Sequence, residues 1–285
     1  MERPSALDRW DEIAARLAGR RPAVFLDYDG TLSPIAPRPE MATLPEETRE
    51  VLRRLARRDP VVIVSGRGRE DVAALVGLPD LTYAGSHGFD IAGPPPSPGA
   101  PPLRLEVGDG VPDLINEAAR RLKRDLAGIE GLLIEPKRFA VSIHFRLVDA
   151  REIPRIQQAV DETAAALPGL RKAHGKKLFE LRPDLDWDKG KALLWLLETL
   201  GLDRPGIVPL YLGDDLTDED AFEAIAGRGV GVLVSEEPRD TAADYALHDT
   251  GEVRELLERL ARLTTTTPSA VQGAPPQPGF PRPAC

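Results

Sequence analysis

Ala23-Val24-Phe25-Leu26-Asp27-Tyr28-Asp29-Gly30-Thr31-Leu32 decides the fold class, because an apolar run stops abruptly at two carboxylates and a glycine. Four successive apolar residues predict a strand buried on both faces, as in parallel sheets, with Asp27 and Asp29 at its carboxyl end. Side chains alternate along a strand, so residues two apart share a face if strand geometry persists to Asp29, and Gly30 permits a sharp exit. Two acids at such a tip define a candidate cation site. Taken by itself, an Asp-Gly pair also reads as a turn.

A second apolar run, Ile207-Val208-Pro209-Leu210-Tyr211-Leu212, also ends in acids, Gly213-Asp214-Asp215-Leu216-Thr217-Asp218-Glu219-Asp220. Two acidic strand tips weigh against a mere turn. A third run, Val61-Val62-Ile63-Val64, stops at Ser65-Gly66-Arg67, and Asp188-Lys189-Gly190-Lys191 opens an apolar helix from Ala192 to Leu200 with an acid at its positive end. In this order the four segments resemble the signature of the haloacid dehalogenase-like (HAD) phosphatases. That signature is an Asp-x-Asp-Gly-Thr strand end, a Ser or Thr strand end, a Lys at a helix start and a Gly-Asp-Asp-x-x-Asp strand end. The resemblance implies an α/β fold with a Rossmann-like parallel-sheet HAD core.

The residue types also suit phosphate chemistry. A phosphate monoester is a dianion, and carboxylates beside it repel it unless a divalent cation lies between them. Mg2+ takes hard oxygen ligands in octahedral geometry, with one or two carboxylates plus waters and substrate phosphate, which matches Asp27 and Asp214. So shielded, Asp27 can attack phosphorus as a nucleophile, while Asp29 can protonate the leaving alkoxide and later deprotonate water. The resemblance implies the same roles for Asp27 and Asp29, with the backbone carbonyl of Asp29 also on the metal. Ser65 and Lys189 are expected to donate to the phosphoryl oxygens. Taken singly, a Ser after a strand reads as a helix cap and a Lys at a helix start as solvated surface. Asp214 is expected to bind the cation directly, with Asp215 and Asp218 holding waters or orienting Lys189, and Thr31 supporting them. Thr217 with Asp220 also fits a capping-box variant. Gly66 and Arg67 are expected beside the substrate, Arg67 either orienting the loop after Ser65 or reaching the ligand.

The chain of 285 residues is 42% hydrophobic, enough for one sizeable core and a smaller second unit. Its net charge of -9 and pI near 5.1 argue against nucleic-acid binding, because no basic surplus exists to offset phosphate backbones. Arg53, Arg54, Arg57 and Arg58 read as the solvated face of a helix whose other face carries Val51, Leu52 and Leu55. The single cysteine, Cys285, excludes an intrachain disulfide. Residues 1–21 are charged throughout, with apolar residues at helical spacing, and resemble no signal peptide. No apolar run reaches membrane-spanning length, so no membrane partner and a cytoplasmic location are expected.

Strand and helix patterns alternate over residues 23 to 90, which implies crossovers and a parallel sheet. The stretch Gly93-Pro94-Pro95-Pro96-Ser97-Pro98-Gly99-Ala100-Pro101-Pro102 reads as a loop or linker. Beyond it, strands are predicted at 103–107, 132–135, 139–146 and 177–181, with helices at about 112–126 and 153–167. Phe139, Val141, Ile143 and Phe145 alternate with Ala140, Ser142, His144 and Arg146, so that sheet has one buried and one open face. The expected division is a core of residues 1–100 and 184–263, an inserted α+β cap of 103–183, and a disordered tail of 264–285 with six prolines.

The cap is expected to choose the substrate, since the strand-tip chemistry serves any phosphate monoester. Gly85-Ser86-His87-Gly88, Glu135-Pro136-Lys137, Glu180-Leu181-Arg182-Pro183 and Asp188-Lys189-Gly190, added to the two acidic tips, resemble the trehalose-6-phosphate phosphatase family from about Val24 to Leu263. The resemblance implies that Glu135, Lys137 and Glu180 hold glucose hydroxyls, and that the substrate is trehalose 6-phosphate with Mg2+ as cofactor. A surface ion-pair cluster is the alternative for these three residues. His87 either touches the sugar or satisfies backbone groups, and Trp187 and Phe179 either stack on a sugar or pack between cap and core. A monomer is expected. Rival readings are a phosphatase for sucrose phosphate, mannosylglycerate phosphate or another sugar ester, a phosphomutase, or a non-catalytic sugar-phosphate-binding regulator. Against the last stands the intact set Asp27, Asp29, Ser65, Lys189 and Asp214.

Overall fold

The computed structural model describes residues 3–108, 110–175 and 177–263; the expected proline-rich tail at 264–285 lies outside them. In chain order the elements are α1 (Trp10–Leu17), β1 (Arg21–Leu26), α2 (Glu46–Ala56), β2 (Val61–Val64), α3 (Arg69–Val76), β3 (Thr82–Gly85), β4 (Asp90–Gly93) and β5 (Leu103–Glu106). There follow α4 (Val111–Asp125), β6 (Leu133–Pro136), β7 (Val141–His144), α5 (Ile153–Ala166), β8 (Leu170–Gly175) and β9 (Leu178–Pro183). The last are α6 (Lys189–Thr199), β10 (Ile207–Gly213), α7 (Glu219–Ala224), β11 (Val230–Val234), β12 (Tyr245–Leu247) and α8 (Thr250–Arg262). No helix among the described residues is long and apolar enough to cross a membrane.

The larger sheet runs β12-β11-β10-β1-β2-β3-β4-β5, parallel from β12 to β3. Its central strands are apolar on both faces because helices cover both. Val24 and Leu26 pack with α1, α2 and α8, whereas Ala23 and Phe25 pack with α6. That two-sided burial is what the unbroken apolar run required.

The cap is the four-stranded antiparallel sheet β6-β7-β9-β8 with α4 and α5 on one face. Phe139, Val141 and Ile143 are buried against those helices, as their alternation predicted. The opposite face looks onto the core. Register aligns Glu135 with Ser142 and Ser142 with Glu180, so one cross-strand row presents all three to the crevice.

Three sequence readings need correction. Leu103–Glu106, expected in the cap, is hydrogen-bonded to β4 and forms the edge of the core sheet. Of the two readings of the proline-rich stretch at 93–102, loop or linker, the loop holds: it joins β4 to β5 in a hairpin within that sheet, and the chain enters the cap after it leaves β5. Strands β4 and β8 went unnoticed: Asp90-Ile91-Ala92-Gly93 is too short to show a period, and Leu170–Gly175 is a sheet edge with mostly half-exposed residues. Trp187 and Phe179 serve packing: the indole Nε1 donates to Gly88 O at 2.9 Å, and Phe179 lies against Phe145 with ring centroids 4.7 Å apart.

Candidate active site

β1 and β10 are parallel neighbours in register, Leu26 opposite Leu212, so their acidic tips emerge side by side. Tyr28 turns into the core, where its hydroxyl donates to Ala42 O, while Asp27 and Asp29 on either side of it line the crevice. Gly30 has φ +84°, and a Cβ there would fall on the Asp214 carboxylate; only glycine admits that approach. Oxygens of Asp27, Asp214 and Asp218 lie within 4.8 Å of one another.

Asp218 is already occupied. Its Oδ1 accepts from Lys189 Nζ at 2.6 Å and from the Tyr211 hydroxyl at 2.7 Å, and its Oδ2 accepts from the backbone N–H groups of Asp214 and Asp215 at 3.0 and 2.9 Å. It orients Lys189 and caps the turn after β10; the capping box is Asp215 with Asp218, two residues earlier than the pair expected from sequence. Lys189 Nζ also donates to Asp27 Oδ1 at 2.9 Å, tying α6 to β1. Two of its three N–H groups are thus engaged, and the third is available to a phosphoryl oxygen.

The donor set fits a hard divalent cation. Asp27 and Asp214 are both carboxylates, nearly buried, with oxygens within 4.8 Å of each other, and Gly30 leaves room for the Asp214 carboxylate. Burial above all, then the nearby charges of Asp218 and Asp214, push Asp27 well above the usual carboxylate range against the opposing pull of Lys189. A bound cation reverses that cost, because it stabilises the ionised form that a nucleophile needs.

Arg67 lies 7% exposed between β2 and the loop after β1, and its Nε and Nη2 donate to the two oxygens of Asp29 at 2.7 and 2.8 Å. Further bonds to Asp71 at 3.0 Å and to Pro39 O at 2.9 Å hold the guanidinium. Arg67 thus acts on a core carboxylate. Ser65 Oγ accepts from Arg67 N at 3.1 Å at the tip of β2, and Thr31 is fully buried with its hydroxyl unpartnered among the described residues.

From the cap, Glu180 Oε1 accepts from Ser142 Oγ at 2.8 Å and Oε2 contacts His87 Nε2 at 2.9 Å, with Lys137 Nζ 3.6 Å away. Burial alone would favour the neutral acid, but His87, Lys137 and Ser142 together hold Glu180 far below the usual carboxylate range. Lys137 Nζ donates to Gly66 O at 2.9 Å, and Glu135 pairs with His144 Nε2 at 2.9 Å. Glu135, Lys137 and Glu180 therefore share one cavity with Asp27, Asp29, Ser65, Lys189 and Asp214. Sequence reading missed Tyr211 and Ser142, because one looks like a core residue and the other like neutral filler in an alternating strand. It also missed the cavity wall Ile35–Pro39, apolar but for Arg38, which carries no motif.

The parallel sheet with two acidic strand tips, a Ser tip, a buried Lys and an α+β cap facing them is a fold shared with a solved haloacid dehalogenase-like hydrolase from Bacteroides thetaiotaomicron, at TM-score 0.58 and 18% identity, covering 85% of this chain and 100% of that one. The trehalose-phosphatase family model matches residues 25–251, and the chain belongs to that family of phosphomonoester hydrolases. It is 44% identical over 260 residues to probable trehalose-phosphate phosphatase 4 of Oryza sativa subsp. japonica, spanning 90% of this chain and 70% of that protein. It is 42% identical over 269 residues to trehalose 6-phosphate phosphatase RA3 of Zea mays, spanning 90% and 74%. A solved structure of a trehalose-6-phosphate phosphatase related protein superposes with TM-score 0.69 at 27% identity, covering 84% of this chain and 96% of that one.

Proposed function

We propose that the protein, as a monomer, hydrolyses trehalose 6-phosphate to trehalose and inorganic phosphate with Mg2+ as cofactor. The observation that carries this reading is the placement of Asp27 and Asp214 beside Lys189, beneath a cap face bearing Glu135, Lys137 and Glu180. When bound, Mg2+ on Asp27, Asp214 and the Asp29 carbonyl would neutralise charge between the carboxylates and the phosphoryl group.

Asp27 Oδ forms the new bond to phosphorus as the ester P–O bond breaks, and Asp29 delivers its proton to the departing sugar oxygen. Water then attacks phosphorus in the aspartyl-phosphate, Asp29 takes a proton from it, and phosphate leaves with the Asp27 carboxylate restored. Lys189 and Ser65 donate to the phosphoryl oxygens while charge builds on them. Arg67 sets the direction of the Asp29 carboxyl through its paired hydrogen bonds.

Malachite-green detection of phosphate over a panel of sugar esters, with and without chelator, tests the reading. Trehalose 6-phosphate should be turned over fastest, chelation should abolish release, and Mg2+ should restore it; a preference for sucrose phosphate or mannosylglycerate phosphate would replace the substrate. Glu180→Ala should lower kcat/KM for trehalose 6-phosphate by about 100-fold and that for p-nitrophenyl phosphate far less, since a small ester has no sugar to bind. Equal losses on both would remove Glu180 from sugar recognition. Arg67→Met should lower kcat by roughly 10-fold or more with little change in KM, because a general acid that wanders loses part of its ~100-fold or larger contribution. An unchanged kcat in single-turnover measurements would show that Asp29 needs no such guide.

A further inference from the structure

We propose that His87 is a positioning residue that docks the cap carboxylate Glu180 onto the Ser65–Arg67 turn after β2, here called the phosphate loop, so that this contact, beside that of Lys137 with Gly66, sets the distance between the sugar and phosphate subsites. The inference rests on the reading of Glu180 as a sugar-binding group. It departs from the sequence expectation that His87 itself touches the substrate or only satisfies loop backbone.

The backbone is the first argument. Ser86 and His87 are consecutive non-glycine residues with φ of 50° and 57°, a left-handed conformation that persists only where surroundings enforce it. The enforcement comes from the phosphate loop: Ser86 N donates to Arg67 O at 2.6 Å and His87 N to Ser65 O at 2.9 Å. The turn after β3 is thereby clipped onto the turn after β2, and the imidazole is aimed across the crevice.

The second argument is Gly66. A Cβ at that position would come 2.8 Å from His87 Cε1, so the ring lies directly on the glycine. Gly66 then serves to seat the imidazole, and its carbonyl receives Lys137 from the cap. Both cap contacts, Lys137 to Gly66 and Glu180 to His87, fall on the same small patch of the core.

The third argument is the ring's own hydrogen bonding. Glu180 accepts, so Nε2 carries the proton of that bond, while Nδ1 is buried without a partner among the described residues. Nε2 is thus engaged by Glu180 and is not left for a sugar hydroxyl. Glu180 is 5% exposed and its other oxygen is held by Ser142, so His87 and Ser142 together fix the whole carboxylate, one from the core and one from the cap.

The test is a double-mutant cycle of His87→Asn, Glu180→Ala and the pair, assayed on the sugar phosphate that the wild-type protein turns over fastest and on p-nitrophenyl phosphate. Asn tolerates the left-handed backbone, so the loop survives while the side chain becomes too short to reach Glu180. His87→Asn should lower kcat/KM for the sugar ester about 10-fold, mostly through KM, as one displaced charge-assisted hydrogen bond would. The double variant should be no worse than Glu180→Ala, and His87→Gln should recover part of the loss by reaching with its amide N–H. Losses that multiply in the double variant would overturn the inference, as would a His87→Asn defect equally large on p-nitrophenyl phosphate. If the fastest substrate is not trehalose 6-phosphate, the functional reading fails, yet the cycle on that other sugar ester still decides the role of His87.

Discussion

Asp27→Asn should lower phosphate release from every monoester by about four orders of magnitude or more, the scale on which enzymes lose a covalent nucleophile. The amide has the shape of the carboxylate but no electron pair of comparable basicity to form the bond to phosphorus. The fold should survive the change. Oxygens of three acids, Asp27, Asp214 and Asp218, lie within 4.8 Å of one another, Lys189 pairs with Asp27 and Asp218, and burial already disfavours the charge on Asp27. Lys189 keeps its 2.6 Å bond to Asp218 when Asp27 is neutral. Without divalent cation the variant should therefore melt no lower than the wild type. It should also lose most of the stabilisation that the wild type gains when Mg2+ is added, because a cation that binds only the native state raises its stability by mass action. Calorimetry with and without Mg2+ and a phosphate-release assay check both halves; retention of about 1% of wild-type kcat would remove Asp27 as nucleophile.

Lys189→Met should be the most damaging single change to stability. The ammonium group is 3% exposed and bridges Asp27 and Asp218, and Asp218 is completely buried. Desolvation by itself would lower the lysine pKa, but Asp218 and Asp27 outweigh it and keep the group charged. Removing one partner of a buried pair leaves the other charges uncompensated, which costs roughly 3–5 kcal/mol. Activity should fall by about 100-fold or more as well, since the proposed donor to the phosphoryl oxygens is lost. Asp218→Asn added to Lys189→Met should recover part of the stability, because it takes away one of the stranded charges. A single variant melting at the wild-type temperature would show that the Lys189 bridge contributes nothing net.

The four strand-end and helix-start segments were legible because each pairs a strong period with a chemical break. Phe25 and Leu26 can only be buried, and Asp27 cannot lie among them without a reason. Other parts were illegible for equally physical causes. β5 carries Leu-Arg-Leu-Glu, an alternation that suits the edge of either sheet, and its placement follows from a hairpin to β4 that is only four residues long. Arg67 was ambiguous because a long side chain after a strand tip can reach several groups; its bond to Asp29 depends on β1 and β2 being neighbours. The paired left-handed conformation of Ser86 and His87 was not legible, since serine does not announce it and histidine, though enriched at positive φ, adopts it too rarely to be read from residue type.

Local chemistry along the chain settled the fold class, the order of the strands that carry acids, and the kind of reaction they serve, because periodicity and residue type are local properties. Only folding decided that Asp218 Oδ1 accepts from Lys189 and Tyr211, that Asp29 is held by Arg67, and that His87 meets Glu180. Those partners are separated by between 7 and 93 positions, and which of them meet is set by strand register and cap placement. Hydrogen bonds reach only about 3 Å, so such choices exist nowhere until the backbone has brought the groups together.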